Sequence, residues 1–298
     1  MPNTNPAEQA LEKDAVTGTP TTGHVWDGIR ELNTPLPRWW LWLFYATIIW
    51  SIGYWIVYPT WPLVSSATTG MFDWHSRQAA IADLDSLKAQ RGPMVARLAA
   101  ASLQEIVADP TLLDFARAQG RSAFAENCAP CHGAGGGGLR SYPNLNDDEW
   151  IWGGKLDEIA QTIRHGVRSA DPETRGTAVM PAFGRDGMLK RSEIETVADY
   201  VRSLSKLPIH ADANLAAGKK IFADNCAVCH GEDGKGKREV GAPNLTDAIW
   251  LYGSDKDAIV ESISNSRAGI MPAWAGRLDD TTIKALAVYV HSFGGGEN

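Results

Sequence analysis

From Trp39 to Tyr58 the chain runs for twenty residues without a charge. At about 1.5 Å per residue, a helix of that length reaches roughly 30 Å, the thickness of a bilayer core. Trp39, Trp40 and Trp42 crowd one end, and Trp55, Tyr58 and Trp61 the other, as expected where a spanning helix meets the two interfaces. Pro59 and Pro62 end it. The run is too long and begins too late for a cleaved signal peptide, and it is too long for a buried core helix. No ionisable side chain lies within it, which argues against a path for protons or ions. Arg30 and Arg38 precede it closely, while no Lys or Arg follows until Arg77. That bias places the N-terminus in the cytoplasm.

The flanks read differently. Residues 1–37 are polar and rich in Pro, Thr and Asn, a composition that predicts disorder over most of the segment. Trp26 and Ile29 would share one face of a short helix, stopped by Pro35 and Pro37. Beyond the apolar run, Ile81, Leu84, Leu87 and then Met94, Val95, Leu98 recur at near-helical spacing. Breaks are expected at Gly92-Pro93 and Asp109-Pro110. This stretch reads as a helical connector, either resting on a partner or the membrane surface or simply solvated.

From residue 116 the pattern repeats itself. Gly120 and Phe124 recur as Gly218 and Phe222, and Pro143-Asn144-Leu145 as Pro243-Asn244-Leu245. Trp150 recurs as Trp250. Met180-Pro181-Ala182-Phe183 returns as Met271-Pro272-Ala273-Trp274, and Tyr200 as Tyr289. Each copy predicts a helix leading to Asn127 or Asn225, a middle helix over about 155–166 or 256–266, and a terminal helix over about 191–205 or 280–292. A module of roughly eighty to ninety residues is small for a self-sufficient apolar core, so an added apolar group inside it is expected.

The repeat carries all four cysteines of the chain. Cys128-Ala129-Pro130-Cys131-His132 and Cys226-Ala227-Val228-Cys229-His230 are both C-x-x-C-H pentads. That spacing reads as c-type haem attachment: two thiols add to the vinyl groups of one porphyrin and the next residue offers an imidazole to its iron. A dithiol redox pair would need a βαβ setting that is not visible, and paired zinc half-sites usually lie roughly 15–20 residues apart. The run Gly135–Gly138 lacks the following Lys-Ser/Thr of a phosphate loop and reads as a flexible loop. A net charge of −7 provides no basic footprint for nucleic acid.

Met180 and Met271 lie 48 and 41 residues after the pentad histidines, in matched segments. A thioether opposite a histidine fills both axial positions and suits electron transfer rather than oxygen chemistry. The bland alternative for any one Met is core packing. His165, the rival in the first copy, aligns with Asn265 and is not a repeated feature. His24, His75, His210 and His291 have no repeat partner and read as ordinary surface or interface residues.

Each module resembles a class I cytochrome c, in which the Gly/Phe residues before the pentad and the Tyr of the last helix form crossed terminal helices. The resemblance implies that the Pro143 and Pro243 carbonyls accept a hydrogen bond from the second ring nitrogen of His132 and His230. The whole chain is similar to the diheme subunit III of cbb3-type cytochrome c oxidases. The Trp26-Asp27-Gly28-Ile29 and Pro35-Leu36-Pro37-Arg38-Trp39-Trp40 lead-in, the anchor and the two tandem modules carry that likeness. Some members of the family have two spanning helices, whereas this chain shows one.

The expected fold is all-α: a single transmembrane helix followed by two tandem class I cytochrome c domains. The expected organisation is a cytoplasmic segment over 1–38, the spanning helix over 39–60, the connector over 61–111, and cytochrome domains over 112–207 and 208–298. Two covalently bound haem c are expected, through Cys128 and Cys131, and Cys226 and Cys229. His132, Met180, His230 and Met271 are the expected axial ligands. No catalytic residues are expected in the chain itself. The resemblance implies a bacterial inner-membrane subunit with periplasmic haem domains. It would accept electrons from a soluble or membrane-tethered cytochrome c and pass them, through a mono-haem cytochrome c subunit, to a haem-copper subunit that reduces oxygen and pumps protons.

Overall fold

The computed structural model describes residues 13–297, and the disorder expected at the N-terminus up to residue 12 lies outside the described residues. The chain divides into two units, residues 1–88 and 89–298.

In the first unit the polar lead-in is an antiparallel hairpin of β1 (Thr21–Trp26) and β2 (Ile29–Leu32), so the chain is not all-α. Asp27 and Gly28 take φ of 50° and 85°, the pair of positive values that a two-residue hairpin turn demands. Trp26 is thereby paired with Ile29 across the strands, where their spacing alone predicts one face of a helix. Helix α1 (Arg38–Val57) follows, with no residue buried. It is the one helix among the described residues long and apolar enough to cross a membrane.

Helix α2 (Ser76–Ala100) runs through Gly92-Pro93, where a break is predicted. Ala89 and Pro93 are both exposed, so the carbonyl that the Pro ring leaves unbonded can face water. The break at Asp109-Pro110 does occur. It separates α3 (Leu103–Ala108), which opens on a Ser102/Glu105 capping box, from α4 (Pro110–Asn127), where Asp109 caps and Pro110 opens the first turn.

The second unit continues with α5 (Ala129–His132), α6 (Leu156–His165), α7 (Arg191–Leu204), α8 (Leu215–Asn225), α9 (Ala227–His230), α10 (Lys256–Asn265) and α11 (Asp280–His291). Their packing crosses the expected boundary at 207/208. Helix α4 packs against α11, and α6 also packs against α11, whereas α8 and α10 pack against α7. Two separate cores result. One joins Leu112, Phe124, Ile159 and Ile163 to Ile283, Leu286 and Val290. The other joins Phe183, Ile194, Val197 and Val201 to Phe222, Ile259 and Ile263. Each copy thus lends its terminal helix to the other. A repeated sequence makes this possible, because each terminal helix presents the same kind of surface to either copy.

Backbone pairing locks the exchange. Phe183 N–H donates to Ile263 O at 3.0 Å and Gly184 N–H to Ser264 O at 3.1 Å. In the partner arrangement Trp274 N–H reaches Ile163 O at 3.2 Å and Arg164 O at 3.1 Å. The connector is not solvated throughout: Leu98, Leu103 and Ile106 are buried in the first core, and Lys284 of α11 donates to the Ala99 and Ala101 carbonyls at 2.9 Å.

Candidate functional site

Both pentads adopt the same geometry. Cys128 and Cys226 end α4 and α8 at φ −109°, and their carbonyls each accept the His132 or His230 N–H at 2.9 Å. A glycine at φ 79° follows each histidine, Gly133 and Gly231. The loop then turns back, so that Gly138 N–H and Gly236 N–H donate to the His132 and His230 carbonyls at 2.8 Å. Gly138 sits at φ 72°, and a Cβ there would lie 2.7 Å from Asn144 N. The glycine run is therefore at least partly a tight turn beneath the Pro143 loop, not merely a flexible loop.

That loop holds the imidazole. His132 Nδ1 lies 2.9 Å from Pro143 O and His230 Nδ1 3.0 Å from Pro243 O. Burial lowers the pKa of both histidines, only partly offset by the hydrogen bond to the Pro carbonyl. A neutral ring that donates from Nδ1 presents its Nε2 lone pair, which is the tautomer a metal needs. Burial also pushes the Cys128 and Cys226 thiols up to about 11, with a smaller contribution from Cys131 and Cys229.

Each candidate methionine packs on the other copy's core. Met271 and Cys128 pack against the first core, and Met180 and Cys226 against the second. Met271 is pinned by two backbone bonds with Val167, each 3.0 Å, and the Met180 carbonyl accepts the Ser266 hydroxyl at 2.6 Å. The matched segments give no sign of this crossing, because within each copy the order pentad, Met, Tyr is self-consistent. His165 is engaged elsewhere: Nδ1 lies 3.0 Å from Asp171 Oδ1 and Nε2 3.4 Å from Glu173 Oε2.

The residues present fit a c-type haem. Each body offers two thiols one helical turn apart, an oriented imidazole and a thioether packed on the same core. The second body also buries the Trp250 indole N–H without a protein acceptor, a donor that an acidic group of a bound cofactor would satisfy. Its counterpart Trp150 donates to Gly295 O of the C-terminal segment.

Comparison with known proteins agrees. A family model described as the N-terminal domain of cytochrome oxidase-cbb3, FixP, matches residues 18–65. A second, described as cytochrome c oxidase, cbb3-type, subunit III, matches residues 115–201 and 213–290. The chain is 60% identical over 286 residues to the cbb3-type cytochrome c oxidase subunit FixP of Bradyrhizobium diazoefficiens, covering 96% of this chain and 98% of that one. It is 57% identical to the FixP subunit of Azorhizobium caulinodans, covering 95% and 96%. It is 48% identical to the CcoP subunit of Cereibacter sphaeroides, covering 93% and 96%. With pentads, oriented histidines and these matches in agreement, the chain belongs to the subunit III family of cbb3-type cytochrome c oxidases, a cytochrome c component with covalently bound haem c.

Proposed function

We propose that this subunit carries two haem c and relays electrons from a donor cytochrome c to the haem-containing subunits of its oxidase, which reduce oxygen and pump protons. Haem c supplies a one-electron iron couple at a potential that the axial ligands tune. Cys128 and Cys131 hold the first group and Cys226 and Cys229 the second. His132 and His230 are the histidine ligands, each fixed in orientation by a Pro carbonyl. Packing supports Met271 as the thioether that would serve the site of His132, and Met180 as the one for the site of His230. Held by His132 with Met271 and by His230 with Met180, the two groups would keep no open position for oxygen, and catalysis would lie in the partners. Helix α1 anchors the subunit in the bacterial inner membrane with the N-terminus cytoplasmic and the haem bodies periplasmic.

The observation that carries this reading is the pairing of each Nδ1-anchored pentad histidine with a methionine packed on the same core. It is tested by replacing the methionines one at a time in chains that retain one pentad. With Cys226 and Cys229 replaced by Ala, Met271→Ala should open the remaining ferrous haem to carbon monoxide and shift its spectrum, while Met180→Ala should not. The opposite result would restore ligation within each copy.

A further inference from the structure

Charge is absent from this chain for longer than a spanning helix needs. No Asp, Glu, Lys, Arg or His occurs from Trp39 to Phe72, whereas α1 ends at Val57. The remaining residues do not lead away as a linker. The chain turns back on the end of α1, and Met71 N–H and Phe72 N–H donate to the Ile56 and Val57 carbonyls at 3.0 and 3.2 Å. Those carbonyls belong to the last turn of the helix and have no partner within it. Gly70, at φ 68°, makes the approach possible, since a Cβ there would collide with the Val57 carbonyl.

Between those ends the loop closes on itself. Thr68 N–H donates to Trp61 O at 2.9 Å, Leu63 N–H to Ser66 O at 2.7 Å, and the Thr68 hydroxyl accepts from Trp61 N–H at 3.1 Å. Aromatic rings tie it to the helix: Trp55 meets Trp61 edge-on at 5.1 Å, and Tyr58 meets Phe72 at 5.7 Å. Much of its backbone is thus satisfied internally, while Trp61, Leu63, Val64, Met71 and Phe72 point outward, with Val64 fully exposed. A folded loop that meets much of its own hydrogen bonding while exposing large apolar side chains suits a medium poor in water.

We propose that residues 58–72 form a collar sunk in the headgroup–acyl boundary of the bilayer, fixing the depth of α1. The occupant is lipid because the apolar surface continues directly from the anchor helix and carries no charge. Ionisable residues resume at once with Asp73 and His75. Trp and Tyr at such a boundary keep their rings in the apolar layer and their polar atoms at its edge. This inference rests on reading α1 as the membrane anchor.

The test uses the full haem-loaded chain in vesicles of phosphatidylethanolamine and phosphatidylglycerol. Haem attachment occupies the native thiols, so Thr47→Cys, Val64→Cys and Asp73→Cys each provide one site for a nitroxide. Power-saturation EPR then compares collisions with oxygen, which partitions into lipid, against a water-soluble nickel complex. The expected result is a lipid signature at 47 and 64 and an aqueous one at 73. An aqueous signature at 64 with lipid at 47 would overturn the collar and leave the anchor standing. The collar would also fall if the label at 64 became shielded only in the assembled oxidase, since a partner subunit would then be its occupant. An aqueous signature at 47 would remove both the anchor and the collar.

Discussion

Gly120 and Tyr289 meet where α4 crosses α11: a methyl group on Gly120 would strike the Ala285 carbonyl and lie 2.6 Å from Tyr289 Cβ. Gly218 meets Tyr200 in the same way, also at 2.6 Å. Both crossings are the helix contacts that the cytochrome c likeness implies, made with the other copy's tyrosine. Gly120→Ala should therefore cost about 1–3 kcal/mol, the usual penalty for overpacking a tight site. Urea denaturation of the haem-loaded protein measures it, and an unchanged midpoint would contradict the crossing.

The exchange makes a chain ending at residue 207 incomplete. It would lack Met271 and all of α11, whose Ile283, Leu286, Val288 and Val290 are buried in the first core. At about 1.5–3 kcal/mol for each such side chain, the loss is roughly 6–12 kcal/mol, comparable to the whole stability of a domain. Residues 1–207 should fail to fold by circular dichroism and should recover on addition of a separately produced 208–298. A stable, native-like 1–207 would show that the copies can close on themselves.

Asp199 of α7 is 6% exposed and pairs with Lys256 of α10 at 2.7 Å, bridging two helices from different copies. Its second oxygen, Oδ1, is buried without a hydrogen-bond partner. Removing its ion-pair partner Lys256 would leave an uncompensated buried carboxylate, which typically costs about 3–5 kcal/mol. Lys256→Met should show that loss, and Lys256→Met with Asp199→Leu should recover much of it. Equal destabilisation by the single and double variants would rule out this account.

Asp147 sits beside Asp148 and Asp247, and its pKa is raised, first by burial and then by those neighbouring charges. A carboxyl raised in the folded state adds stability below its unfolded value of about 4, and loses it as pH rises through the folded value. Asp147→Asn keeps an acceptor for the Glu149 N–H, now 3.2 Å from Oδ1. The variant should melt higher than the parent at pH 7, and the difference should shrink to nothing below about pH 4. A gain that persists at low pH would place the cause outside titration.

We propose an order of electron flow from the connector. Leu98, Leu103 and Ile106 belong to the core against which Cys128 packs, so that body is held to the end of α2. The body of Cys226 is expected to receive electrons and that of Cys128 to pass them on. In stopped-flow reduction by donor cytochrome, Met271→Ala should leave the second haem reducible and block onward transfer. Normal reduction of the first haem in Met180→Ala would reverse the order.

Much of this was legible in the residues. The uncharged run marks α1 to within one residue at either end, and the middle and terminal helices fall where the apolar spacing puts them. His132 and His230 find the carbonyls that the cytochrome c likeness implies. Helical spacing puts Trp26 and Ile29 on one face and hides the hairpin, whose signal is the Asp27-Gly28 turn between them. The exchange left no mark in the repeat, because Gly120 accepts Tyr289 on the terms by which it would accept Tyr200. Periodicity shows which surfaces fit, and a chain with two equivalent surfaces leaves the choice between them to the paths of its linkers.

That choice sets a timetable for synthesis. The first pentad ends at His132, and the helix that covers its core begins at Asp280, 280 − 132 = 148 residues later. At about 5–20 residues per second, the first pocket stays open for roughly 7–30 s after its cysteines are made. The second pocket already has α7 when its pentad emerges, and waits only for α10, which ends at Asn265. The later pentad thus belongs to the pocket that closes earlier. Pulse-labelled chains should accordingly gain protease resistance around Cys226 before they gain it around Cys128.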